Sequence, residues 1–380
     1  MKFTVSSSAL NNRLSVMSKI IVANSSLPIL NDFLLTVEGQ ELTVRASDQE
    51  TTIVAHLPLI EADENFCFTI PAKSLYDSIK ELSEQPIRIE LDPDTLAVNI
   101  LYRNGTFNFA ATSLNSQDYP NLKPVTEVQC ELTINSQALL KGISATLFAT
   151  GDDDLRPVMN GVVLDISKQD VTFVATDAHK LVRLKNTQFS GNVTNGESSL
   201  LILRKKPLNL LKMILAKEDC DIQLVFGQDS WMMNLPDYSI SSLLIEGRFP
   251  NYNAVIPQNN PYTIWVDRLT LLSALKRVSL CSDEASGLIR LEIKDNNIQI
   301  SAQNTDFSTS AQENVACQYD GSSLIIGFKA AFLMTMLSNI DTKDIIIKLS
   351  DAARAALVMP GENKEGEDLL MLLMPMMIKA

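Results

Sequence analysis

The chain has 380 residues, of which 46% are hydrophobic and 20% are charged. This composition excludes a disordered polypeptide, and the length allows two or three domains. With 32 Lys and Arg against 45 Asp and Glu, the net charge is −13, which argues against a nucleic-acid binder only if the charge is spread evenly along the chain.

Cysteine usage and hydropathy indicate the compartment. The five cysteines are far apart and form no CxxC pair, a pattern typical of reduced thiols and not of a disulfide framework or a zinc site. The longest apolar run, Leu369–Ile378, is too short to span a bilayer, and residues 1–12 lack the apolar core of a signal peptide. We therefore expect a cytoplasmic protein with no membrane partner.

In chain order, the predicted elements recur three times. An apolar strand end precedes a good N-cap residue in each repeat, and these caps are Ser6, Asn135 and Asp267. A strand followed by a small polar residue and an aspartate recurs every 129 residues, at Asp48, Asp177 and Asp306. A second helix begins near Lys73, Lys206 and Lys329, and an aromatic-Pro-Asn turn closes the first two repeats at 119–121 and 249–251.

Four markers in the same order, on a period near one third of the chain, indicate an internal triplication. We predict an α+β fold of three tandem domains, over 1–124, 128–250 and 258–380. Each domain should combine strands of alternating apolar and polar residues with two amphipathic helices. The six predicted helices cover residues 6–20, 71–83, 135–148, 203–217, 267–278 and 328–340.

The charge is not spread evenly. The six predicted helices contain fourteen basic and three acidic residues, whereas the rest of the chain contains 18 basic and 42 acidic residues. Surface helices often contain Lys and Arg, but that preference does not explain why Glu, an equally good helix former, is scarce in them. The pattern favours an electropositive surface that contacts the phosphates of a nucleic acid without reading its sequence.

The number of helices suggests an assembly. Two chains would supply twelve helices, and twelve helices packed at about 9 Å close a circle about 35 Å across. Subtracting one helix diameter leaves a bore of roughly 25 Å, which admits a duplex. We therefore expect a symmetric dimer that forms a ring.

The chain has no recognisable catalytic pattern. GxxxxGK[ST], GxGxxG and HExxH motifs are absent from the sequence. We interpret His56 and His179 as structural residues and Asp152–Asp154 as an exposed acidic loop without the spaced ligands of a metal site. We predict no catalytic residue, no metal and no cofactor. Two alternatives stay open, a peptide-binding scaffold that does not encircle DNA and a metal-dependent nuclease.

The Met-rich end of the chain predicts a peptide-binding surface. Pro375 cannot donate a hydrogen bond to a sheet, so the chain should leave the sheet there or follow an edge. The alternative is a buried final strand with Met as core filler. Flexible Met side chains form an adaptable apolar lip for short extended peptides.

Several motifs together resemble one family, the bacterial sliding clamps, which are β subunits of DNA polymerase III. They are Met1–Val5, Leu27–Leu30, Arg156–Gly161, Ala175–Leu181, Gly247–Tyr252 and Met374–Met376. The resemblance covers the whole chain and implies a head-to-tail homodimer, a closed ring with helices inside and sheets outside, which encircles double-stranded DNA. It also implies that short linear peptides of the replicative polymerase, the clamp loader and repair polymerases bind between the second and third domains.

The resemblance assigns candidate site residues. The implied peptide pocket comprises Met159, Thr176, Ala178, His179, Lys180, Leu181, Pro250, Ala254, Val255, Ala355, Leu372, Leu373, Met374, Pro375 and Met376. The implied DNA contacts are Asn24, Lys73 and residues 153–158, which include Arg156; the charge count adds Arg204, Lys205, Lys206 and Lys212. Ala178 and Lys180 stand where the family usually has Gly and Arg, and Ala254 replaces a position that is often basic.

Overall fold

The structure is a computed structural model that describes residues 1–22, 27–115, 117–121, 124–193 and 198–378. Within these ranges the chain forms a mixture of α-helices and antiparallel β-sheets, as the predicted α+β class requires. No helix in these ranges is both long and apolar enough to cross a membrane.

All six predicted helices are present. They are α1 (Ser7–Met17), α2 (Ala72–Ile79), α3 (Ser136–Thr146), α4 (Lys205–Leu215), α5 (Arg268–Val278) and α6 (Ala330–Ser338). Each is one to five residues shorter than predicted. The difference arises partly because some helices end in tighter turns, such as the one in which the Ile20 N–H donates to the Met17 carbonyl.

The predicted N-cap residues are bound to the helices that they precede. Ser6 Oγ accepts a hydrogen bond from the Ala9 N–H at 3.1 Å, and an Asp267 carboxylate oxygen accepts from the Thr270 N–H at 2.8 Å. Asn135 accepts from the Gln137 N–H at 2.9 Å. The three caps satisfy N–H groups that have no partner within their own helix.

The strands follow the triplication. The first third of the chain contains β1 (Lys2–Ser6), β2 (Asp32–Glu38), β3 (Glu41–Ser47), β4 (Thr51–Pro58), β5 (Glu61–Ala62), β6 (Phe66–Pro71), β7 (Pro86–Leu91), β8 (Ala97–Tyr102) and β9 (Gly105–Ala110). The second contains β10 (Cys130–Asn135), β11 (Gly161–Ser167), β12 (Val171–Thr176), β13 (Lys180–Asn186), β14 (Phe189–Val193), β15 (Ser198–Arg204), β16 (Asp221–Phe226), β17 (Ser230–Asn234) and β18 (Tyr238–Leu243). The third contains β19 (Tyr262–Asp267), β20 (Leu288–Lys294), β21 (Asn297–Asn304), β22 (Thr309–Ala316), β23 (Leu324–Lys329), β24 (Asp344–Leu349), β25 (Ala356–Pro360) and β26 (Glu367–Leu373).

The chain divides into two compact units. The first comprises 1–137, 192–195 and 206–244, and the second comprises 138–191, 196–205 and 245–380. In the first unit, one sheet has the strand order β5-β1-β7-β8-β9, and a second contains the run β10-β16-β17-β18-β4-β3-β2-β6. In the second unit the orders are β15-β11-β12-β13-β26-β25-β24-β19 and β22-β21-β20-β23.

Each unit contains a sheet that continues from one repeat into the next. In the first unit, β4 of the first repeat pairs antiparallel with β18 of the second. In the second unit, β13 of the second repeat pairs antiparallel with β26 of the third. Backbone hydrogen bonds therefore join consecutive repeats, and side chains of both repeats share the faces of one sheet.

An ion pair supports the junction in the first unit. Lys206, in the first turn of α4, lies with its Nζ 2.5 Å from Asp48 Oδ2 and 2.6 Å from the Ile20 carbonyl oxygen. The Asp48 carboxylate is mostly shielded from solvent, so it depends on this cation. Lys206 thereby binds the second repeat to a loop and a helix end of the first.

We expect Lys206→Met to destabilise the protein, because it leaves the shielded Asp48 carboxylate without its cation. The free energy of unfolding measured in urea should fall by about 1–3 kcal/mol. Lys217→Met, at an exposed position shortly after the same helix, should change it by less than about 0.5 kcal/mol. Equal effects of the two substitutions would show that the ion pair does not stabilise the fold.

Candidate functional site

A tight turn between β12 and β13 presents the first group of candidate residues. Thr176 Oγ1 accepts a hydrogen bond from the Ala178 N–H at 3.1 Å, and Asp177 Oδ1 accepts from the N–H groups of His179 and Lys180 at 2.9 and 2.8 Å. The Lys180 ammonium pairs with the other Asp177 oxygen. These bonds fix the turn and leave Ala178 and His179 exposed.

Ala178 occupies a conformation that favours glycine. Its φ is +72°, in the left-handed region. Alanine costs about 1 kcal/mol there relative to glycine. The turn hydrogen bonds offset this cost and retain the geometry.

The end of the chain lies beside this turn. The register of β13 with β26 places Leu181 opposite Leu372, and the Met374 N–H donates to the His179 carbonyl at 2.9 Å. Strand β26 ends one residue before Met374, and the Met376 N–H then donates to the Gly327 carbonyl at 2.8 Å. Of the two predicted courses, leaving the sheet or following an edge, the chain takes the first, since Pro375 lies just beyond the last strand.

The turn that follows Phe249 forms a further side of the site. Phe249 is buried, Pro250 is exposed, and Asn251 caps a 3-10 helix over Tyr252–Val255. The Tyr252 hydroxyl donates to Asp165 Oδ2 at 2.7 Å. Burial, with the nearby Asp165 carboxylate, holds the pKa of Tyr252 well above its ordinary value, so the phenol stays a hydrogen-bond donor at neutral pH.

A buried apolar cluster forms the floor of the site. Its members come from four strands of the second repeat, from two strands and a loop of the third, and from the turn between the repeats. They are Val163, Val174, Leu181, Ile202, Phe249, Tyr252, Ile256, Ala355, Leu357, Leu370 and Leu372, with Val158, Ile245 and Met359 packed against them. Val255, on the 3-10 helix after Asn251, is 58% exposed, and Met374, the residue after β26, is 43% exposed.

The structure brings most of the candidate pocket residues together. Leu181, Ala355 and Leu372 belong to the buried cluster, and Met374 is hydrogen-bonded to the exposed turn at His179. Leu373 differs, because its side chain lines an internal void of about 10 Å³ among core side chains of the third repeat. Adjacent residues of a strand point to opposite faces, so Leu372 and Leu373 serve different cores.

Phe332 and Lys329 lie near the turn but are absent from the candidate set. The ring of Phe332, on α6, lies 4.4 Å from the Lys180 Nζ and 5.1 Å from the Lys329 Nζ, and it stacks on His179 with the ring centroids 6.2 Å apart. These are cation–π and aromatic contacts. Phe332 is 152 residues from Lys180, and no local sequence pattern links them.

Three of the candidate DNA-contacting cations are bound to carboxylates of the chain. Lys205 pairs with Asp152, Arg156 Nε lies 2.8 Å from Asp153 Oδ2, and Lys206 pairs with Asp48. The Arg156 hydrogen bond lowers the pKa of Asp153 below its ordinary value. The acidic loop at 152–154 therefore neutralises neighbouring basic side chains.

The remaining candidates differ in exposure. Lys73 on α2 is exposed and Lys212 on α4 is half-buried, and neither forms an ion pair with any residue in the described ranges. Arg204 is half-buried at the end of β15. Asn24 lies outside the described residues.

The last residues to place are a histidine that the sequence predicts to be structural and the side chains that could bind a metal ion. His56 Nδ1 lies 2.7 Å from Glu41 Oε1, within the β3–β4 hairpin. Among the residues that the structure describes, no group of three or more His, Cys, Asp or Glu side chains is arranged to hold a metal ion.

Family models match almost the whole chain. The N-terminal, central and C-terminal domains of the DNA polymerase III beta subunit match residues 1–123, 133–251 and 253–377. The beta sliding clamp of Pseudomonas aeruginosa is 29% identical over 376 residues, which cover 99% of this chain and 100% of that protein. The beta sliding clamp of Escherichia coli K12 is 26% identical and covers 99% of this chain and 100% of its own length.

Solved structures agree. A crystal structure of the Pseudomonas aeruginosa DNA polymerase sliding clamp with a ligand superposes with a TM-score of 0.90 at 28% identity and covers 100% of both chains. A sliding clamp of the same organism bound to griselimycin also has a TM-score of 0.90 and covers 100% of both chains. The chain therefore belongs to the bacterial sliding-clamp family, the β subunits of DNA polymerase III, and is a non-catalytic processivity subunit.

Proposed function

We propose that two copies of this chain form a closed ring around double-stranded DNA. The ring tethers the replicative polymerase, the clamp loader and repair polymerases through short linear peptides that bind at the β13–β26 junction. The observation that carries the proposal is the exposure of two apolar side chains, Val255 and Met374, in the two segments of the chain that also contribute to the buried cluster or adjoin it. A function on chromosomal DNA places the protein in the cytoplasm, where its five free cysteines stay reduced.

The proposed pocket suits an extended apolar peptide. Its floor supplies aliphatic side chains, and its rim supplies Met374, whose unbranched side chain adapts to different partners. Ala254 is exposed on the 3-10 helix, so its side chain adds no charge to this corner. Apolar contact therefore dominates recognition.

We expect the double substitution Val255→Ala with Met374→Ala to weaken binding of griselimycin, a ligand of a solved relative. Truncating two exposed apolar side chains should raise the Kd about tenfold or more in isothermal titration calorimetry. Leu280→Ala removes another strongly exposed apolar side chain and should leave the Kd unchanged. Unchanged affinity of the double variant would place the ligand elsewhere.

Two open sheet edges support the dimer. Strand β9 is the last strand of its sheet in the first unit, and β22 is the last strand of its sheet in the second. An open edge strand attracts another strand unless something covers it. We propose that β9 of one copy pairs with β22 of the other, which gives two equivalent interfaces and a closed ring.

We expect a solution mass of about 84 kDa, twice the 42.0 kDa of one chain, in sedimentation equilibrium. Asn108 lies opposite Asn99 in the fourth pair from the two-residue turn of the β8–β9 hairpin, and the alternation of the ladder directs its N–H to the open edge. Asn108→Pro should therefore shift the mass toward 42.0 kDa without changing the circular dichroism spectrum. A monomeric wild-type protein would contradict the ring.

The proposed DNA contact is weak and electrostatic, because the ring holds DNA by topology. Lys73 and Lys212 are the strongest candidates, since both lie on helices and have no ion pair in the described ranges. Phosphate contacts of this kind read no sequence and weaken with salt. Arg156 and Lys205 contribute less, since carboxylates already neutralise them.

We expect Lys73→Glu with Lys212→Glu to shorten retention on nicked circular DNA loaded by a bacterial clamp loader and ATP. The slope of log retention against log salt should become shallower by about one unit for each phosphate that the variant no longer neutralises. Arg156→Gln, at a cation already paired with Asp153, should have a smaller effect. Linearising the circle should release the wild-type ring.

The two alternative functions, a scaffold that does not encircle DNA and a nuclease, predict different results. A peptide-binding scaffold would show no dependence on DNA ends. A nuclease would cleave labelled DNA in the presence of Mg²⁺, and cleavage by the purified chain would contradict the clamp.

A further inference from the structure

A cavity of about 170 Å³ lies in the second unit, enclosed by α3, the end of α6 and the loop between β25 and β26. We call it the α3–α6 cavity. Its lining includes Ala145, Ile340, Asp341, Glu362, Glu367 and Leu369. No residue of the lining belongs to the candidate peptide pocket.

Strand β26 separates this cavity from the proposed peptide pocket. Glu367 and Leu369 lie at the start of the strand, whereas Met374 follows its end. Leu369 and Leu370 point to opposite faces of the sheet, and Leu370 belongs to the buried cluster of the peptide pocket. The α3–α6 cavity is therefore a separate site.

In the first unit, an arginine lies at the corresponding junction of helix and strand. The guanidinium carbon of Arg13, on α1, lies 5.1 Å from the centre of the Tyr238 ring. Its Nη2 lies 2.5 Å from Asp237 Oδ2, and its Nε donates to the His56 carbonyl at 3.4 Å. A stacked and ion-paired guanidinium therefore joins α1 to the start of β18.

A further carboxylate lies near the Tyr238 ring. Burial raises the pKa of the Tyr238 phenol, and the Asp237 and Glu218 carboxylates add to the increase while Arg13 opposes it. Glu218 follows the end of α4, and its N–H donates to the Leu215 carbonyl at 3.1 Å. Three elements, α1, the end of α4 and the start of β18, thus meet at Tyr238.

The sheet register identifies Leu369 as the counterpart of Tyr238. Tyr238 lies opposite Ala55 in the β4–β18 pair, and Leu369 lies opposite Leu184 in the β13–β26 pair. The matching residues are 131 and 129 positions apart, within the range of the repeat spacing. A smaller aliphatic side chain therefore stands where the first unit has an aromatic ring.

The helix ends identify Asp341 as the counterpart of Glu218. Helix α4 ends at Leu215 and α6 ends at Ser338, so each carboxylate follows its helix by three residues. The acidic group at this junction is therefore retained in the second unit.

The arginine is not retained. Gly142 follows its N-cap Asn135 by seven residues, as Arg13 follows Ser6. A Cβ at Gly142 would lie 2.5 Å from Phe173 Cζ, which is too close for a side chain at this position. The second unit therefore keeps a carboxylate of the junction but lacks the guanidinium that the first unit places there.

Two carboxylates at the α3–α6 cavity have no partner in the chain. Lys141 pairs with Glu367, whereas Asp341 and Glu362 form no ion pair or side-chain hydrogen bond with any residue that the structure describes. Lys364, an exposed lining residue, offsets one of these charges. The cavity thus keeps an excess of negative charge, which favours a cationic ligand.

Hydrogen bonds fix the loop that carries Glu362. Asn363 Oδ1 accepts from the Leu369 N–H at 3.0 Å, and the Glu367 N–H donates to the Lys364 carbonyl at 3.0 Å. The loop is therefore tied to the start of β26, and Glu362 is held at the cavity.

The size and lining of the cavity suit a cation with an aliphatic stem. At about 10–15 Å³ per water, the volume has room for a group of roughly ten non-hydrogen atoms. Ala145, Ile340 and Leu369 are buried and supply apolar contacts for methylene groups. A guanidinium is more weakly hydrated than an ammonium, and its several donors reach two carboxylates at once.

We propose that the α3–α6 cavity binds a guanidinium group, with its aliphatic stem against Ile340 and Leu369 and its charge between Asp341 and Glu362. The ligand supplies from outside the group that Arg13 supplies within the first unit. Its source is an arginine side chain of another polypeptide or a free alkylguanidine. The proposal does not rest on the proposed function, since the two sites share no residue.

The test is a saturation-transfer NMR titration of the full chain with acetyl-Gly-Arg-Gly-amide. We expect saturable binding, and at least tenfold weaker binding of acetyl-Gly-citrulline-Gly-amide, which has nearly the same shape but no charge. Acetyl-Gly-Lys-Gly-amide should bind at least threefold more weakly than the arginine peptide, because its ammonium is more strongly hydrated.

Butylguanidinium distinguishes the two sources. Affinity equal to that of the arginine peptide supports a site for a free alkylguanidine. Tighter binding of the peptide supports an arginine side chain whose backbone adds contacts.

Substitutions in the lining locate the ligand. Asp341→Asn and Glu362→Gln should each raise the Kd of the arginine peptide about threefold to fivefold, and together about tenfold or more, because each removes one charged partner. Lys364→Gln should lower the Kd about twofold. Ser144→Leu places a larger side chain in the cavity and should abolish binding.

The matched control is Glu284→Gln, which removes an exposed carboxylate of the same unit outside the lining and should leave the Kd unchanged. No saturable binding, equal binding of the arginine and citrulline peptides or of the arginine and lysine peptides, or unchanged affinity in Asp341→Asn with Glu362→Gln would each overturn the proposal. Griselimycin affinity should be the same in that double variant as in the wild type, so failure of the peptide pocket and failure of this site are separate results.

Discussion

Antiparallel strand pairing between consecutive repeats is the interaction on which the rest of this structure depends. The β4–β18 and β13–β26 ladders turn separate domains into continuous sheets, and each ladder places side chains of two repeats on one face. A binding site at either ladder is therefore assembled from distant parts of the chain. Because the pairing fixes the register, the chemistry of each site is set by which residue types lie opposite each other.

The carboxylates that make the chain acidic also control its cations. Asp48, Asp152 and Asp153 pair with Lys206, Lys205 and Arg156, so a count of basic residues on helices overstates the charge available to phosphates. Such pairing suits the proposed ring, because tight phosphate contacts would hold DNA in place instead of letting it slide. The same ion pairs stabilise the loops beside the helices. These charged side chains therefore contribute to the stability of the fold as well as to the proposed binding.

Repetition explains why two turns of the chain have the same backbone hydrogen bonds. The turn hydrogen bonds at Asp48 and Asp177 are alike, and so are the contacts of Leu243 and Met374 with the turns. The side chains above this common backbone differ: Leu372 contributes to an apolar floor and Ser241 to a hydroxyl-lined cavity. Backbone geometry is thus shared while the side-chain chemistry differs, since side chains can change without disturbing the ladder.

The sequence by itself determined the triplication, the α+β class, all six helices and the N-caps of three of them, because periodicity and capping are local and recur along the chain. It also restricted the last strand to end before Pro375 or to follow an edge there, since proline cannot donate to a ladder. Only the tertiary structure decided that Leu373 faces a core, that Phe332 packs on the turn at Lys180, and that Asp152 neutralises Lys205. These contacts join residues far apart in the chain, and no local pattern encodes a long-range pairing.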